Sequence, residues 1–332
     1  MLFPTQSSPF SASNNSVQAI MQQVLFALIP AILTLFYFVG YSVLMQISLA
    51  IITALIAESL CLYLRKKPIL STLADFSAVL TAVLIAIAIP SIAPWWVVVN
   101  GTLFAILIAK QVYGGLGYNP FNPAMAGYVF LLISFPLPMT LWQDASIFLS
   151  FSDAINVLFE AVAIDGLSSA TVLDYTKMQL RSGESISTIQ ASSIFGFIGD
   201  NNKEFVSLAY LIGGLFLYLK RTIRWHIPFA VLMGVFIPAS IAYAIDPNIY
   251  SSPWFHLVTG ATVCAAFFIA TDPVSAAASI KGRLIYGFLI GFLIFCIRTW
   301  GGYPDAVAFA VLLANISAPS IDSYLRPKTK TQ

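Results

Sequence analysis

Apolar residues run along this chain in long, nearly unbroken stretches, unlike the alternation of a half-buried strand or the single stripe of a surface helix. About 20 apolar residues cross a bilayer as a helix, with a working range near 17–25. Stretches of this kind occupy residues 20–38, 41–63, 76–90, 95–110, 123–137, 205–219, 228–245, 254–270, 284–300 and 306–317, ten in all. The fifth and tenth are short, as are those beside prolines. Backbone groups in lipid must be satisfied within their own segment, so each stretch is expected to be helical. One long polar interruption separates the fifth from the sixth. The chain is therefore expected to be an all-α integral membrane protein with a first transmembrane half (1–137), one external segment (138–204) and a second transmembrane half (205–332).

Composition makes the lipid environment compulsory. Of 332 residues, 59% are hydrophobic and 9% charged, against about 25% charged in an ordinary soluble domain. A mean hydropathy of +0.87 cannot be folded around one water-soluble core. The net charge of +2 gives no field for a nucleic-acid partner. Residues 1–18 lack a basic n-region and a small-residue cleavage site, so no secretory signal is expected. Cys61, Cys264 and Cys296 lie in apolar stretches without metal-ligand spacing, and His226 and His256 do not complete a site. They read as inert buried thiols, and an iron–sulfur cluster within the chain is not expected.

The placement of charge says more than its sum. With a cytoplasmic N-terminus, one face receives Arg65, Lys66, Lys67, Lys110, Lys220, Arg221, Arg224, Lys281, Arg283, Arg326, Lys328 and Lys330. The other receives only Lys177, Arg181, Lys203 and Arg298. Lysine and arginine favour the cytoplasmic side, so both termini are expected there and residues 138–204 on the opposite, periplasmic side. Within that segment, residues 142–163 read as a short helix on the surface and residues 182–202, rich in Ser, Gly and Asn, as loop.

Two stretches resemble each other across the halves. Gly114-Gly115 leads through Asn119-Pro120-Phe121-Asn122-Pro123 into Ala124-Met125-Ala126, and Gly301-Gly302 leads through Tyr303-Pro304-Asp305 into Ala306-Val307-Ala308. With five helices per half, the second copy is inverted in the membrane. Inverted repeats place broken helices near the midplane, where ions, substrates or cofactors bind. Small residues at these places also serve close helix packing alone. Ionisable groups inside a membrane mark ion paths. Glu58, Asp75, Asp272 and Asp305 are the candidates, with Arg298 as a partner for the last. All four lie near expected helix ends, where a solvated or capping carboxylate is the simpler reading.

The external segment holds Asp165-Gly166-Leu167-Ser168-Ser169-Ala170-Thr171. Small hydroxyl residues of this kind are poor core material, and they leave the Thr171 hydroxyl open to modification. As structure alone, the stretch reads as an Asp-Gly turn followed by a polar loop. The motif resembles the flavin-attachment sequence of the family joining the D subunit of the Rnf electron-transport complex to the B subunit of the sodium-pumping NADH:quinone oxidoreductase. That family usually has glycine where Ser169 stands, and often proline where Val172 stands. Three further stretches resemble it: residues 115–124 (Gly-Leu-Gly-Tyr-Asn-Pro-Phe-Asn-Pro-Ala), Thr271-Asp272-Pro273-Val274, and Arg298 with Gly301-Gly302-Tyr303-Pro304-Asp305 and the following helix, where Asn315, Pro319 and Asp322 continue the pattern. Chain length and the single external segment fit the Rnf branch.

The resemblance implies FMN held by a phosphoester on Thr171, with Asp165, Gly166, Ser168, Ser169 and Ala170 as the surrounding recognition sequence. It also implies a second, non-covalent flavin such as riboflavin, and a flavin transferase acting outside the cytoplasm. Neighbouring iron–sulfur and flavin subunits would complete the complex in a bacterial inner membrane. The function it implies is coupling of electron transfer between ferredoxin and NAD to ion translocation. Without the motif, the same fold would suit a secondary transporter or channel, with Thr171 unmodified.

Overall fold

The computed structural model describes residues 16–160, 166–199, 204–303 and 305–325. In the first half, α1 (Val17–Val39) and α2 (Tyr41–Leu64) are followed by a short α3 (Ile69–Leu73), α4 (Ser77–Ala88), α5 (Trp95–Gln111) and α6 (Pro123–Ser134). The external segment carries α7 (Pro136–Thr140), β1 (Trp142–Gln143), α8 (Phe151–Phe159), β2 (Ser168–Ser169), α9 (Val172–Arg181) and α10 (Ile186–Gln190). The second half contains α11 (Glu204–Leu219), α12 (His226–Ile245), α13 (Pro253–Val258), α14 (Thr262–Cys264, continuing as Ala265–Ile269), α15 (Ile280–Trp300) and α16 (Val307–Leu325). Among the described residues, five helices, α1, α2, α12, α15 and α16, are long and apolar enough to cross a membrane, and α4, α5, α6 and α11 are shorter apolar helices. The protein is a multi-pass, all-α membrane protein. Its outward faces carry large exposed apolar side chains such as Phe26, Leu33, Ile52, Ile56, Ile212 and Ile241. That is far more apolar surface than a soluble monomer presents to water.

Lipid gives helices no hydrophobic reason to associate, so close backbone approach must hold them. The α12–α15 contact shows this: a Cβ on Gly291 would run into the Val231 carbonyl, and one on Gly234 into the Phe288 carbonyl. Between the halves, α1 packs on α11 and α6 on α16. Within them, α2 packs on α4 and α5, and α12 on α15.

Several elements differ from the sequence reading. The stretch at 254–270 is broken, with α13 and α14 separated around Gly260. Gly260 has φ +66°, and a Cβ there would lie 2.7 Å from Arg298 Nη2 and 3.0 Å from Asp305 Oδ2. A tertiary contact sets this break, and hydropathy does not register it. The last two turns of α5 (Phe104–Gln111) and the end of α14 (Ala265–Ile269) are wound wider, with i→i+5 hydrogen bonds. Such bulges are frequent at functional sites. α16 extends well past 317, because Pro319 follows a helix already formed and sits within it. Among the described residues 142–160, helix is limited to α8, and residues 142–143 form a strand. The expected loop at 182–202 contains α10, capped by Ser185.

Candidate functional site

Thr171 is the N-cap of α9. Its Oγ1 accepts from the Asp174 backbone N–H at 3.2 Å and donates to Asp174 Oδ2 at 2.7 Å. Hydroxyl residues are favoured at this position because they satisfy an orphan amide of the first turn. The motif leading to it is paired, not free. β1 and β2 run antiparallel, with Trp142 opposite Ser169 and Gln143 opposite Ser168, and Asp144 N–H donates to the Leu167 carbonyl at 3.0 Å. Asp165, the first residue of the motif, lies outside the described residues; Gly166 and Ala170 are exposed, while Ser168, Ser169 and Thr171 are half-buried.

Gln143 fixes this ribbon to the membrane helices. Its buried Nε2 donates to the Val39 carbonyl at 2.9 Å and the Ile147 carbonyl at 2.7 Å, and its Oε1 accepts from Ser91 Oγ at 2.7 Å. Leu149 adds a second tie, donating its N–H to the Val39 carbonyl and accepting from Tyr41 N–H at 3.1 Å. Sequence reasoning missed Gln143. Its only local signal is a glutamine beside a tryptophan just after an apolar stretch, which says nothing about partners about a hundred residues away. α9 meanwhile docks on the second half: Val172 is wholly buried, and Lys177 Nζ donates to the Tyr303 carbonyl at 3.1 Å. Burial, and then Arg181, holds the Lys177 amine below its ordinary pKa, with Asp174 pulling the other way.

A cavity of about 240 Å³ opens beside Thr171. Apolar side chains from both halves line it, Leu35, Leu84 and Leu132 from the first and Val206, Val258 and Val307 from the second, with Tyr128, Gln143, Thr171, Asp174 and Asp305 among the polar groups around it. Asp305 bridges the broken helix. Its Oδ1 accepts from Arg298 Nη2 at 3.1 Å and its Oδ2 from Ala261 N–H at 3.0 Å, while Arg298 Nη1 donates to the His256 carbonyl at 2.8 Å. The expected Arg298–Asp305 partnership is therefore present.

The other candidate carboxylates gather at the opposite end of α2. Glu58 is not a solvated residue at a helix end: it lies inside α2, buried, with Lys110 Nζ 2.7 Å from its Oε1. Gln111 Nε2 also donates to Glu58 Oε1 at 2.6 Å. Lys110 donates to Ser77 Oγ at 2.7 Å, and Ser77 Oγ to Asp75 Oδ1 at 2.6 Å, so Glu58 and Asp75 join one chain of polar contacts. Asp75 also accepts from the Ser77 N–H at 2.7 Å, the capping role expected of it. Asp272 stands across a smaller cavity of about 110 Å³, which Lys110, Asn119 and Asn122 also line. Burial pushes its carboxyl above the usual range, and hydrogen bonds from Ser275 and the Val274 N–H offset part of that rise. Asp305 is not in this group.

The sequence profile of the NQR2, RnfD, RnfE family matches residues 4–331. The chain belongs to this family. It is 49% identical to a protein of Pectobacterium carotovorum subsp. carotovorum (strain PC1), over 99% of this chain and 98% of the relative. It is 48% identical to one of Cronobacter sakazakii, over 99% of both chains. It is 49% identical to one of Shewanella amazonensis, over 99% of this chain and 98% of the relative. All three carry the name of the D subunit of an ion-translocating oxidoreductase complex.

The two departures from the family motif cause no local conflict. Ser169 sits in an extended strand and is not among the positive-φ residues, so a glycine's freedom is not needed there. Val172 occupies the first helical position, where proline is favoured, and fills it by complete burial. The residues present also suit a phosphoester-linked flavin. The cavity offers apolar walls for a flat ring, and a half-buried hydroxyl lines it. The start of a ten-residue helix beside that hydroxyl favours a phosphate.

Proposed function

We propose that this chain is the D-type membrane subunit of an Rnf-type ion-translocating oxidoreductase complex, carrying FMN as a phosphoester on Thr171. The observation that carries the reading is the Thr171 hydroxyl, held at a helix start and lining an apolar cavity. Threonine itself transfers no electrons. Its role is attachment, while the isoalloxazine supplies the redox chemistry. Around it, Gln143 and Leu149 hold the attachment ribbon to the first half, and α9 braces it against the second. A second, non-covalent flavin such as riboflavin, iron–sulfur and flavin partner subunits, and a flavin transferase complete the reading. The assembly couples electron transfer between ferredoxin and NAD to ion movement.

The same reading includes ten spans in two inverted repeats of five, counting α13 and α14 as one broken span. The packing supports it. The first helix of one half meets the first of the other (α1 on α11), the last meets the last (α6 on α16), and second packs on fourth in each half (α2 on α5, α12 on α15). Lys110 and Arg298 are buried in ion pairs and mark neither face, yet eleven basic residues against three still favour cytoplasmic termini and a periplasmic 138–204 in the bacterial inner membrane. The polar chain of Glu58, Lys110, Ser77 and Asp75, with Asp272 nearby, lies on the proposed ion path at the cytoplasmic end, and Asp305 at the periplasmic end.

The test is mass spectrometry of the protein coexpressed with its flavin transferase. An FMN-sized increment on the peptide containing Thr171, absent in Thr171→Ala, is the expected result. An unmodified threonine under those conditions overturns the covalent-flavin reading and restores the transporter alternative.

A further inference from the structure

A threonine hydroxyl is a weak nucleophile at neutral pH because it keeps its proton, so a nearby base must activate it. Thr171 already has such a neighbour. Its Oγ1 donates to Asp174 Oδ2 at 2.7 Å, and both side chains line the larger cavity. Ala170, immediately before, is exposed, so the acceptor lies at an accessible edge of the ribbon. A carboxylate that accepts the proton of a hydroxyl attacking phosphorus is the arrangement protein kinases use, where an aspartate of the enzyme takes the substrate's proton. Here the carboxylate sits on the acceptor chain.

We infer that Asp174 is the general base for the modification of Thr171, so that the acceptor site extends three residues beyond the motif. The inference rests on Thr171 being the attachment residue. The donor class is a flavin phosphate joined to a second phosphate through a pyrophosphate bond and presented by the transferase. Thr171 Oγ1 forms a bond to the flavin-bearing phosphorus. The pyrophosphate P–O bond breaks, and the departing phosphate keeps that electron pair. The hydroxyl proton passes to Asp174 Oδ2 and from there to water. Nothing is oxidised or reduced. The step removes the only proton on Oγ1, so the Thr171–Asp174 side-chain hydrogen bond exists only before attachment.

A capping role alone would use the same contacts, and chemistry separates the two. Asp174→Asn keeps an oxygen that accepts from Thr171 but is not a base, and Asp174→Glu restores a base with a longer reach. The full-length chain in membranes is incubated with transferase and a flavin pyrophosphate, and the FMN-bearing Thr171 peptide is followed over time by mass spectrometry. The rate is read from the carboxylate titration range to above neutrality. For Asp174→Asn we expect initial attachment slowed about 100-fold, the acid-side fall of the rate profile lost, and final occupancy unchanged. Asp174→Glu recovers part of the rate. Attachment in Asp174→Asn at the wild-type rate and pH profile overturns the inference while leaving Thr171 as the attachment residue. Equal slowing in Asp174→Asn and Asp174→Glu shows a demand for shape and also overturns it. Absence of FMN from Thr171 in the wild-type chain overturns the attachment reading itself.

Discussion

Among the described residues two ion pairs hold a buried cation, Lys110 in one and Arg298 in the other, and they are built in opposite ways. Glu58 and Lys110 are both closed off, each side chain 2% exposed, and Ser77 and Gln111 take up further hydrogen-bonding capacity around them. In the second pair Arg298 is 1% exposed but Asp305 is 29% exposed, on the cavity that Thr171 lines. The first pair joins α2 to α5 within one half, and every charge is answered by protein. The second joins α15 to the turn before α16 and also caps the broken helix at Ala261. One of its members is left facing space. A closed pair specifies packing, whereas a half-open pair lets a charge in the cavity act on the protein. The difference leaves a carboxylate at the Thr171 end open to the charge of the group proposed there, and makes the Lys110 end a closed lock beside a smaller polar cavity.

Breaking the lock should have the largest effect. Lys110→Met strands a buried Glu58 carboxylate and is expected to lower stability by about 3–5 kcal/mol, while Lys110→Met with Glu58→Leu should return most of it. Thermal unfolding in detergent checks both. A double variant as unstable as the single one would show that Glu58 is not a sealed charge. At the Thr171 end the ribbon is held by neutral hydrogen bonds. Gln143→Leu strips the Ile147 carbonyl and the Ser91 hydroxyl of their partner, leaves the Val39 carbonyl only the Leu149 N–H, and is expected to lose roughly 3 kcal/mol. That loss should be local, seen as faster protease cleavage of residues 144–170 with the membrane helices still protected. Asp305→Asn leaves Arg298 with a neutral partner in a partly open site, a smaller loss of about 2 kcal/mol. On the proposed function its sharper consequence is for FMN: the flavin potential should shift in Asp305→Asn and stay unchanged in the distant Glu58→Leu, Lys110→Met pair, as read by redox titration. Equal shifts would erase the contrast between the two ends.

The smallest effect concerns Lys177. Its amine is held below 10.5 in the fold, chiefly by burial, so the unfolded chain binds more protons across that window. Stability is therefore penalised at neutral pH and rises as pH climbs through the folded value toward 10.5. Lys177→Met should flatten this alkaline rise by less than about 1 kcal/mol, since the group is partly solvated. Unfolding midpoints measured against pH test the sign.

Some features were legible in the sequence because their cause is local. Hydropathy alone placed the helices α1, α2, α12 and α15 to within a few residues at most ends, and the Asn-Pro-Phe-Asn-Pro stretch announced α6, which Asn122 caps and Pro123 begins. Arg298 and Asp305 were legible as a pair because a short turn separates them. Glu58 was misread because its partner is Lys110, 52 residues away, and a lone glutamate near the end of an apolar stretch looks the same whether solvated or sealed. Asp174 was passed over as one acid among many in a polar segment. Only the helix start at Thr171 brings its carboxylate to the hydroxyl.

The sequence by itself determined that the chain lives in lipid, where its long apolar helices run, which family it belongs to, and which threonine closes the Asp165–Thr171 motif. These follow from composition, from periodicity and from short contiguous motifs. The tertiary structure decided what the threonine faces. The paired ribbon, the Gln143 anchor, the break at Gly260 and the cavity between the halves all arise from contacts between residues far apart in the chain. Such contacts are set by close packing and by the demand that buried polar groups find partners, and neither leaves a periodic trace in the sequence.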